Sequence, residues 1–525
     1  MDMDERHPLL ANVERGGRKA HRKSLGETEL NCHVGVGEVA GQKLVVFDPQ
    51  GDAENPMDWS RKYKLGIVSL LGLMAFVVSF TCLGVVPVAD KIVHDLSGRT
   101  DKTSSILLVT VWELGEAAGP LLMAPLSEIY GRYPVFNIAN IVFILSVILG
   151  ALSQSTELFI FSRFLTGFAV ASNVLNPAII GDIYPSEQRG SGMSLVMLAP
   201  LIGGTFGPAI GGAMAETLGW RNILWMCAAC AILCEIAFFT LLRETYKVKI
   251  LRRRAAALRI SQKDQSLKCA FDAQSGRKEL WWAVLRTAVL RPVLVMWDSS
   301  VLKIMSFYAG FTFTFYYIMA TTLPGMLRDM YGFSDAAAGS AFMFFSVGAM
   351  CGILVCNLFL DRIYIALSIR SSSKDTEDLK DPDSPPTTNT TPEFRLPLMI
   401  VAATLFPLVN FLYGWVPASG WPAWALLLSV GLFGFVLIVM SAPSSSYIVD
   451  AFGMYSASAM TMVLLTRCTM GTLLPLTIPV LTDTLGLRGA FTLLAAVCVV
   501  MVPLPVVVMR YGGVWRQKSK YTRDE

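Results

Sequence analysis

Apolar residues in this chain neither alternate nor recur every three or four positions; they come in long unbroken runs. A helix needs about 20 apolar residues to cross a hydrocarbon core. Twelve runs reach or approach that length: roughly 65–89, 104–125, 134–153, 157–180, 191–214, 221–242, 296–320, 337–360, 396–416, 421–443, 458–482 and 489–509. The pattern predicts an all-α membrane protein of twelve transmembrane helices in two six-helix bundles. The expected layout is an unstructured segment at 1–60, a bundle at 61–242, a central loop at 243–292, a second bundle at 293–510 and a tail at 511–525.

Composition supports this. The chain is 53% hydrophobic and 16% charged, with a mean hydropathy of +0.52, where soluble domains are about a quarter charged. Lys and Arg crowd the N-terminal segment, the central gap, the 361–395 segment and the tail, and are missing from the loops at 154–156, 215–220 and 417–420. Both termini are therefore expected in the cytoplasm, although Lys91, Arg99 and Lys102 stand in an opposite loop. No short apolar core precedes a small-residue cleavage site, so no cleaved leader is expected. Trp59, beside Arg61, Lys62 and Lys64, suits an interfacial anchor.

Three polar segments carry further expectations. Glu5-Arg-His-Pro-Leu9-Leu10 matches an acidic dileucine sorting signal. Lys247 to Arg259 is basic and amphipathic, and is predicted to lie on an anionic inner leaflet at about 1 kcal/mol per basic residue. So close to a membrane, these charges make no case for nucleic acid. The Ser/Thr/Pro/acid-rich insert at 370–393 is predicted to be disordered, and its Asn389-Thr-Thr391 acceptor to stay unmodified in the cytoplasm.

Candidate chemistry is sparse. The four histidines (His7, His21, His33, His94) avoid every apolar run, and Cys227-x-x-Cys230 lacks a second ligand pair. Neither a metal nor another cofactor is expected, and the histidine clusters of membrane-embedded enzymes are missing, so an enzyme is not expected. What stands out is Glu113 and Glu116 in the second run, one helical turn apart beside Gly115 and Gly119. A carboxylate at mid-membrane costs about 2.5–3.5 kcal/mol on insertion scales, so it has a partner or a task. The two acids either fix helix contacts or carry protons. Arg163, in the fourth run at similar depth, is the expected cation for Glu113, as a structural ion pair or as part of a proton route. Glu235 and Arg467 are further isolated charges, the former read as packing.

Gly203, Gly207 and Gly211, with Gly212, expose backbone along one face of the fifth run, and Pro208 bends it. This suits a helix sliding at the interface of two halves, or a plain packing face. Asn173, Asn176, Tyr308, Tyr316 and Arg467 are candidates for lining a substrate cavity. Glu128-Ile-Tyr-Gly131-Arg132 after the second span and Asp361-Arg362-Ile-Tyr364 after the eighth suggest an internal duplication, common in secondary transporters.

With these motifs in hand, residues 55–520 resemble the major facilitator superfamily, in particular its fungal-type twelve-span drug:proton antiporters. Asn55-Pro-x-Asp-Trp-Ser60 is similar to the opening signature, and Ala124-Pro-Leu-Ser-Glu128-Ile-Tyr-Gly131-Arg132 to the loop motif between spans two and three. Arg163 with Gly167 is similar to the fourth-span motif, and Gly203-x3-Gly207-Pro208-x2-Gly211-Gly212 to the fifth-span antiporter motif. Thr81-Cys-Leu-Gly84-Val-Val-Pro87 is a looser likeness to a first-span motif and lacks the acid some relatives carry there. The resemblance implies the major facilitator fold, alternating access, a conformational latch from Glu128 and Arg132 (with Asp361 and Arg362 in the second half), and a part in proton coupling for Arg163. It also implies export of a drug, toxin, secondary metabolite or organic acid in exchange for protons, from a monomer in the plasma membrane. A nutrient facilitator or importer on the same fold, and a vacuolar membrane reached through Leu9-Leu10, are the alternatives.

Overall fold

The computed structural model describes residues 36–39, 42–48, 51–99, 101–170, 172–185, 188–262, 268–269, 281–378 and 391–522. The chain divides into a small unit, Met1–Glu54 with Leu251–Gly276, and a large one, Asn55–Ile250 with Arg277–Glu525.

The large unit is helical. Its first six spans are α1 (Arg61–Leu83), α2 (Lys102–Tyr130), α3 (Arg132–Ala151), α4 in two pieces (Thr156–Phe168 and Ser172–Ile183), α5 (Arg189–Thr217) and α6 (Trp220–Leu241). The second six are α7 (Ser300–Tyr331), α8 (Phe342–Asp378), α9 (Pro397–Ala418), α10 (Ala423–Phe452), α11 (Ser456–Leu473) and α12 (Ile478–Met501). Helix starts follow short polar residues: Ser60, Asp101, Ser155 and Ser299 accept hydrogen bonds from the free N–H groups of the first turns. Eight stretches among the described residues are long and apolar enough to span alone, and one of these, Ala423–Lys518, runs several helices together.

Within that stretch Gly486 (φ +67°, ψ 170°) breaks the helix in a region that side chains avoid. Asp483 before it meets Lys102 at 3.4 Å, and Arg488 after it donates to the Ala418 carbonyl at 2.5 Å. Lys102 begins α2 and Ala418 ends α9, both at one end of the bundle, so the chain reverses at Gly486 and the twelfth span begins there. That end is called the far end below; the near end is where Arg61 and Lys518 lie.

Glycine places the second and fourth helices of each half in backbone contact. A Cβ on Gly119 would stand 2.2 Å from the Phe168 carbonyl oxygen, joining α2 to α4. A Cβ on Gly434 would stand 2.2 Å from the Phe345 carbonyl oxygen, joining α10 to α8. The same device serves the fifth-span glycines. A Cβ on Gly211 would stand 2.0 Å from the Gly84 carbonyl oxygen, so the glycine row packs against α1 in its own half. α5 meets the second half at Gly212 and Pro208, which touch Asp335 and Gly339, and at Thr205, whose hydroxyl bonds Ser346 at 2.7 Å.

Several expectations change. Part of the segment expected to be unstructured forms strands: β1 (Val36–Val39) pairs antiparallel with β2 (Gln42–Val45), and β3 (Lys268–Cys269) runs parallel to β2. Leu251 and Ala255 of the basic Lys247–Gln262 helix are buried with Val45 and Cys269. Its apolar stripe is thus covered by strand residues where lipid was expected, and Arg254 pairs with Asp52. The central gap also contains the start of a helix at Trp281–Asp298. Of the 370–393 insert, helix runs on to Asp378 and Pro392–Arg395 form a 3-10 turn, where Glu393 pairs with Arg516 at 2.9 Å. Residues 379–390 with Asn389, and Leu9-Leu10, lie outside the described residues.

Gly119→Ala and Gly434→Ala should each destabilise the bundle by about 1–3 kcal/mol, the cost of overpacking a filled contact. Gly66→Ala, where a Cβ meets nothing within 4 Å, should not. Thermal unfolding of the purified variants in detergent checks the contrast.

Candidate functional site

Residues Thr110, Glu113 and Glu116 step down α2 at intervals of three, so they share one face of the helix. That face meets the second half. Nearest the far end, the Thr472 hydroxyl on α11 donates to the Thr110 carbonyl at 2.9 Å. One turn further in, the Tyr317 hydroxyl on α7 donates to Glu113 Oε1 at 2.6 Å. Glu113 is 2% exposed, and its Oε2 is buried with no hydrogen-bond partner. Gly471 stands beside that oxygen, so α11 approaches without a side chain in the way. One turn further again, Arg467 Nη2 on α11 lies 3.5 Å from Glu116 Oε1. The guanidinium also sits over the Phe313 ring at 4.2 Å, and its Nε is buried without a partner.

The expected Glu113–Arg163 pair is not formed. All three donating groups of Arg163 end on backbone carbonyls: Nη1 on Thr81 at 2.9 Å, Nη2 on Cys82 at 2.6 Å and Nε on Leu108 at 3.4 Å. The guanidinium stacks over Trp112 at 4.8 Å. The reason is helical geometry. Neighbouring residues point about 100° apart, so Trp112 faces α4 while Glu113 faces the other half. Arg163 instead satisfies the last carbonyls of α1, where the helix gives way to the Val86–Val88 turn and a cation suits the helix dipole.

At the near end the two halves repeat one ionic arrangement. Arg132, at the start of α3, reaches Asp182 at the end of α4 at 3.5 Å, bonds Ser127 and sits over the Tyr246 ring. Arg395, just before α9, pairs with Asp450 at the end of α10, reaches Asp361 at 3.2 Å and sits over the Tyr364 ring. The duplication read from the sequence is therefore present, but the counterpart of Arg132 is Arg395. Arg362 is exposed, as is Glu128, which Arg132 does not engage. Gly131, at φ +97°, lets Glu244 close on Arg132, whose N–H donates to Glu244 Oε1 at 2.8 Å. Asp182, Arg395 and Asp450 each stand near the edge of an apolar run, where a charge reads in the sequence as an ordinary boundary residue.

Charges also tie the halves together at the far end. Asp90 meets Arg328 at 2.8 Å, Lys102 meets Asp483, and Glu216 accepts from the Ala336 N–H at 2.9 Å. A cavity of about 330 Å³ lies among them, between Asp90, Lys102, Thr322 and Asp329. A second cavity, of about 360 Å³, opens in the second half and is lined by Tyr308 and Arg467 among others. Of the remaining cavity candidates, Tyr316 packs in a ring cluster with Phe313 and Phe345, and Asn176 is buried. The Asn173 side chain lies outside the described residues. Glu235, 4% exposed, accepts from Asn140 at 2.7 Å within the first half, away from the seam.

A family model described as the Major Facilitator Superfamily matches residues 69–471. The chain belongs to the major facilitator superfamily. It is a multi-pass membrane transporter, and transporters of this family carry small organic solutes. The chain is 30% identical to the efflux pump radE of Floropilus chiversii over 480 residues, covering 91% of this chain and 86% of that one. It is 29% identical to the MFS transporter cpaT of Aspergillus oryzae, covering 99% of both. Among solved structures, a D-xylose-proton symporter superposes with a TM-score of 0.60 at 15% identity, over 88% of this chain and 98% of that one. The human organic anion transporter MFSD10 (TETRAN) gives 0.54 at 19%, over 85% and 100%. At such identities the likeness concerns the fold.

Arg328→Ala should loosen the far end of this major facilitator transporter. A half-exposed ion pair contributes about 0.5–1 kcal/mol, so a two- to fivefold rise in opening is expected. The rate at which an impermeant maleimide labels Thr322→Cys, with and without Arg328→Ala, reads it out.

Proposed function

We propose that this transporter exports a small organic compound in exchange for protons, with Glu113 and Glu116 as the proton-carrying groups. One observation carries the reading: a carboxylate fully buried between the halves, with one oxygen bonded across the seam and the other open to receive a proton. Glu116 extends the same logic, since its partner Arg467 also belongs to the opposite half. A proton on either acid cancels a charge that holds α2 against α7 and α11. Protonation thereby biases the rocking of one bundle on the other, as alternating access requires. The name of the radE relative, an efflux pump, supports the outward direction, as does the glycine pattern of α5. Arg163 enters the mechanism indirectly, by holding the end of α1 against α2. Arg132–Asp182 and Arg395–Asp450 brace the near ends of the two halves, which the Lys and Arg distribution assigns to the cytoplasm.

In proteoliposomes, export of the compound that accumulates in cells lacking the gene should fall more than tenfold with a protonophore. It should fall equally in Glu113→Gln, whose amide oxygen keeps the Tyr317 hydrogen bond while the titrating group is lost. Concentrative export that survives both treatments, or flux that follows only the solute gradient, rules the exchange out. Arg163→Lys should act differently. A single ammonium cannot reach three carbonyls, so thermal stability should drop while the proton dependence of the folded protein persists. The plasma membrane is the proposed site. Imaging tagged protein with and without Leu9→Ala/Leu10→Ala distinguishes it from a vacuolar membrane, which the motif would otherwise select.

A further inference from the structure

The cavity of about 360 Å³ in the second half lies between α7, α10 and α11, with Met399 of α9 at its edge. Its size falls within the usual range for a small-molecule site. Tyr308 and Phe313 on one wall, with Met440 and Met460 on the other, offer flat and polarisable surfaces that suit an aromatic body.

Its polar lining is Tyr308, Thr312, Ser441, Ser444, Ser445 and Arg467, and two of these stand apart. Arg467 already has a charge partner in Glu116 and covers one face of Phe313, yet its Nε–H is buried and bonds to nothing. Ser444, 4% exposed and part of the same wall, has a buried hydroxyl that is likewise unpartnered. Buried donors left unsatisfied are uncommon in folded proteins and mark places where another group belongs. No acid lines the cavity, so an organic cation finds no counter-ion there. An organic anion accepting from Nε would put a second carboxylate on a guanidinium that Glu116 already neutralises, leaving a net negative charge buried. A neutral oxygen acceptor meets neither obstacle.

We infer that this cavity binds an uncharged aromatic compound bearing a carbonyl or ether-type oxygen, toward which Arg467 and Ser444 turn their covered donors, the Nε–H and the hydroxyl. The inference rests on the export reading for its biological meaning, but it concerns equilibrium binding and needs no gradient.

The test uses the full chain in lipid nanodiscs at pH 7, with four tricyclic probes of nearly equal size. These are 9-fluorenone (neutral, with a carbonyl), fluorene (neutral, without one), fluorene-9-carboxylate and protonated 9-aminofluorene. Empty nanodiscs correct for partition into lipid. Fluorenone should bind at least tenfold more tightly than the other three. Arg467→Met should cut its advantage over fluorene to below threefold. Ser444→Ala should weaken fluorenone two- to fivefold and leave fluorene unchanged, and it keeps the test decisive if Arg467→Met does not fold. Tightest binding by the carboxylate or the ammonium probe overturns the inference. So does equal binding of fluorenone and fluorene, or a fluorenone preference that neither variant alters. Should proton-driven export fail while this binding order holds, the coupling reading falls and the inference stands.

Discussion

The structure depends on one constraint: two carboxylates on a single face of α2 sit in a membrane and are met by partners from the other half. A charge at mid-bilayer is tolerated when it is paired or when it is neutral. Tyr317 and Arg467 supply the pairing here, and both belong to helices that must part from α2 whenever the bundles rock. The seam therefore cannot open without changing the condition of the acids. Under the proposed exchange, protonation and conformation are two aspects of one event. The Thr110–Thr472 contact above them holds the same two helices without charge. The seam is thus graded along α2, from a neutral contact toward the far end to an ion pair toward the near end.

Within each half the helices are locked by a different means. Glycines bring α2 against α4, and α8 against α10, to backbone distance, and a third set seats α5 on α1. Contacts of that kind leave little room for rearrangement, because close-packed surfaces do not deform continuously. Under alternating access each half would then move as a body, and the contacts that change would be those between halves. The near-end clusters around Arg132 and Arg395 serve the same division of labour. Each ties the start of one helix to the end of its neighbour within a half, and neither spends its charge on the opposite half.

Arg163 illustrates how a conspicuous residue can be assigned to the wrong partner. Its depth matches that of Glu113, and both are lone charges in apolar runs, so sequence alone favours pairing them. The backbone supplies the competing partner. Where α1 ends, the Thr81 and Cys82 carbonyls have no helical N–H to meet, and the Arg163 guanidinium answers both while its third donor reaches Leu108 of α2. Unsatisfied backbone groups leave no trace in a sequence, whereas unpaired side chains do.

Some features of this protein follow from its sequence alone. The lengths of the apolar runs set the number of spans, and the long polar gap sets the division into two halves. The acids at 113 and 116, spaced one turn apart, had to share a face, and the small residues beside them had to mark close helix contacts. All of these are one-dimensional facts, because helix periodicity and bilayer thickness turn spacing directly into position. Which helix stands opposite that face is not such a fact. It depends on contacts more than two hundred residues apart along the chain, as Glu113 with Tyr317 shows. Only the packed structure could give Glu116 to Arg467, turn Arg163 toward α1, and set Arg395 where Arg362 was expected. The covering of the basic helix by a small sheet is the same kind of result, since an apolar stripe shows that something must cover it and never what does.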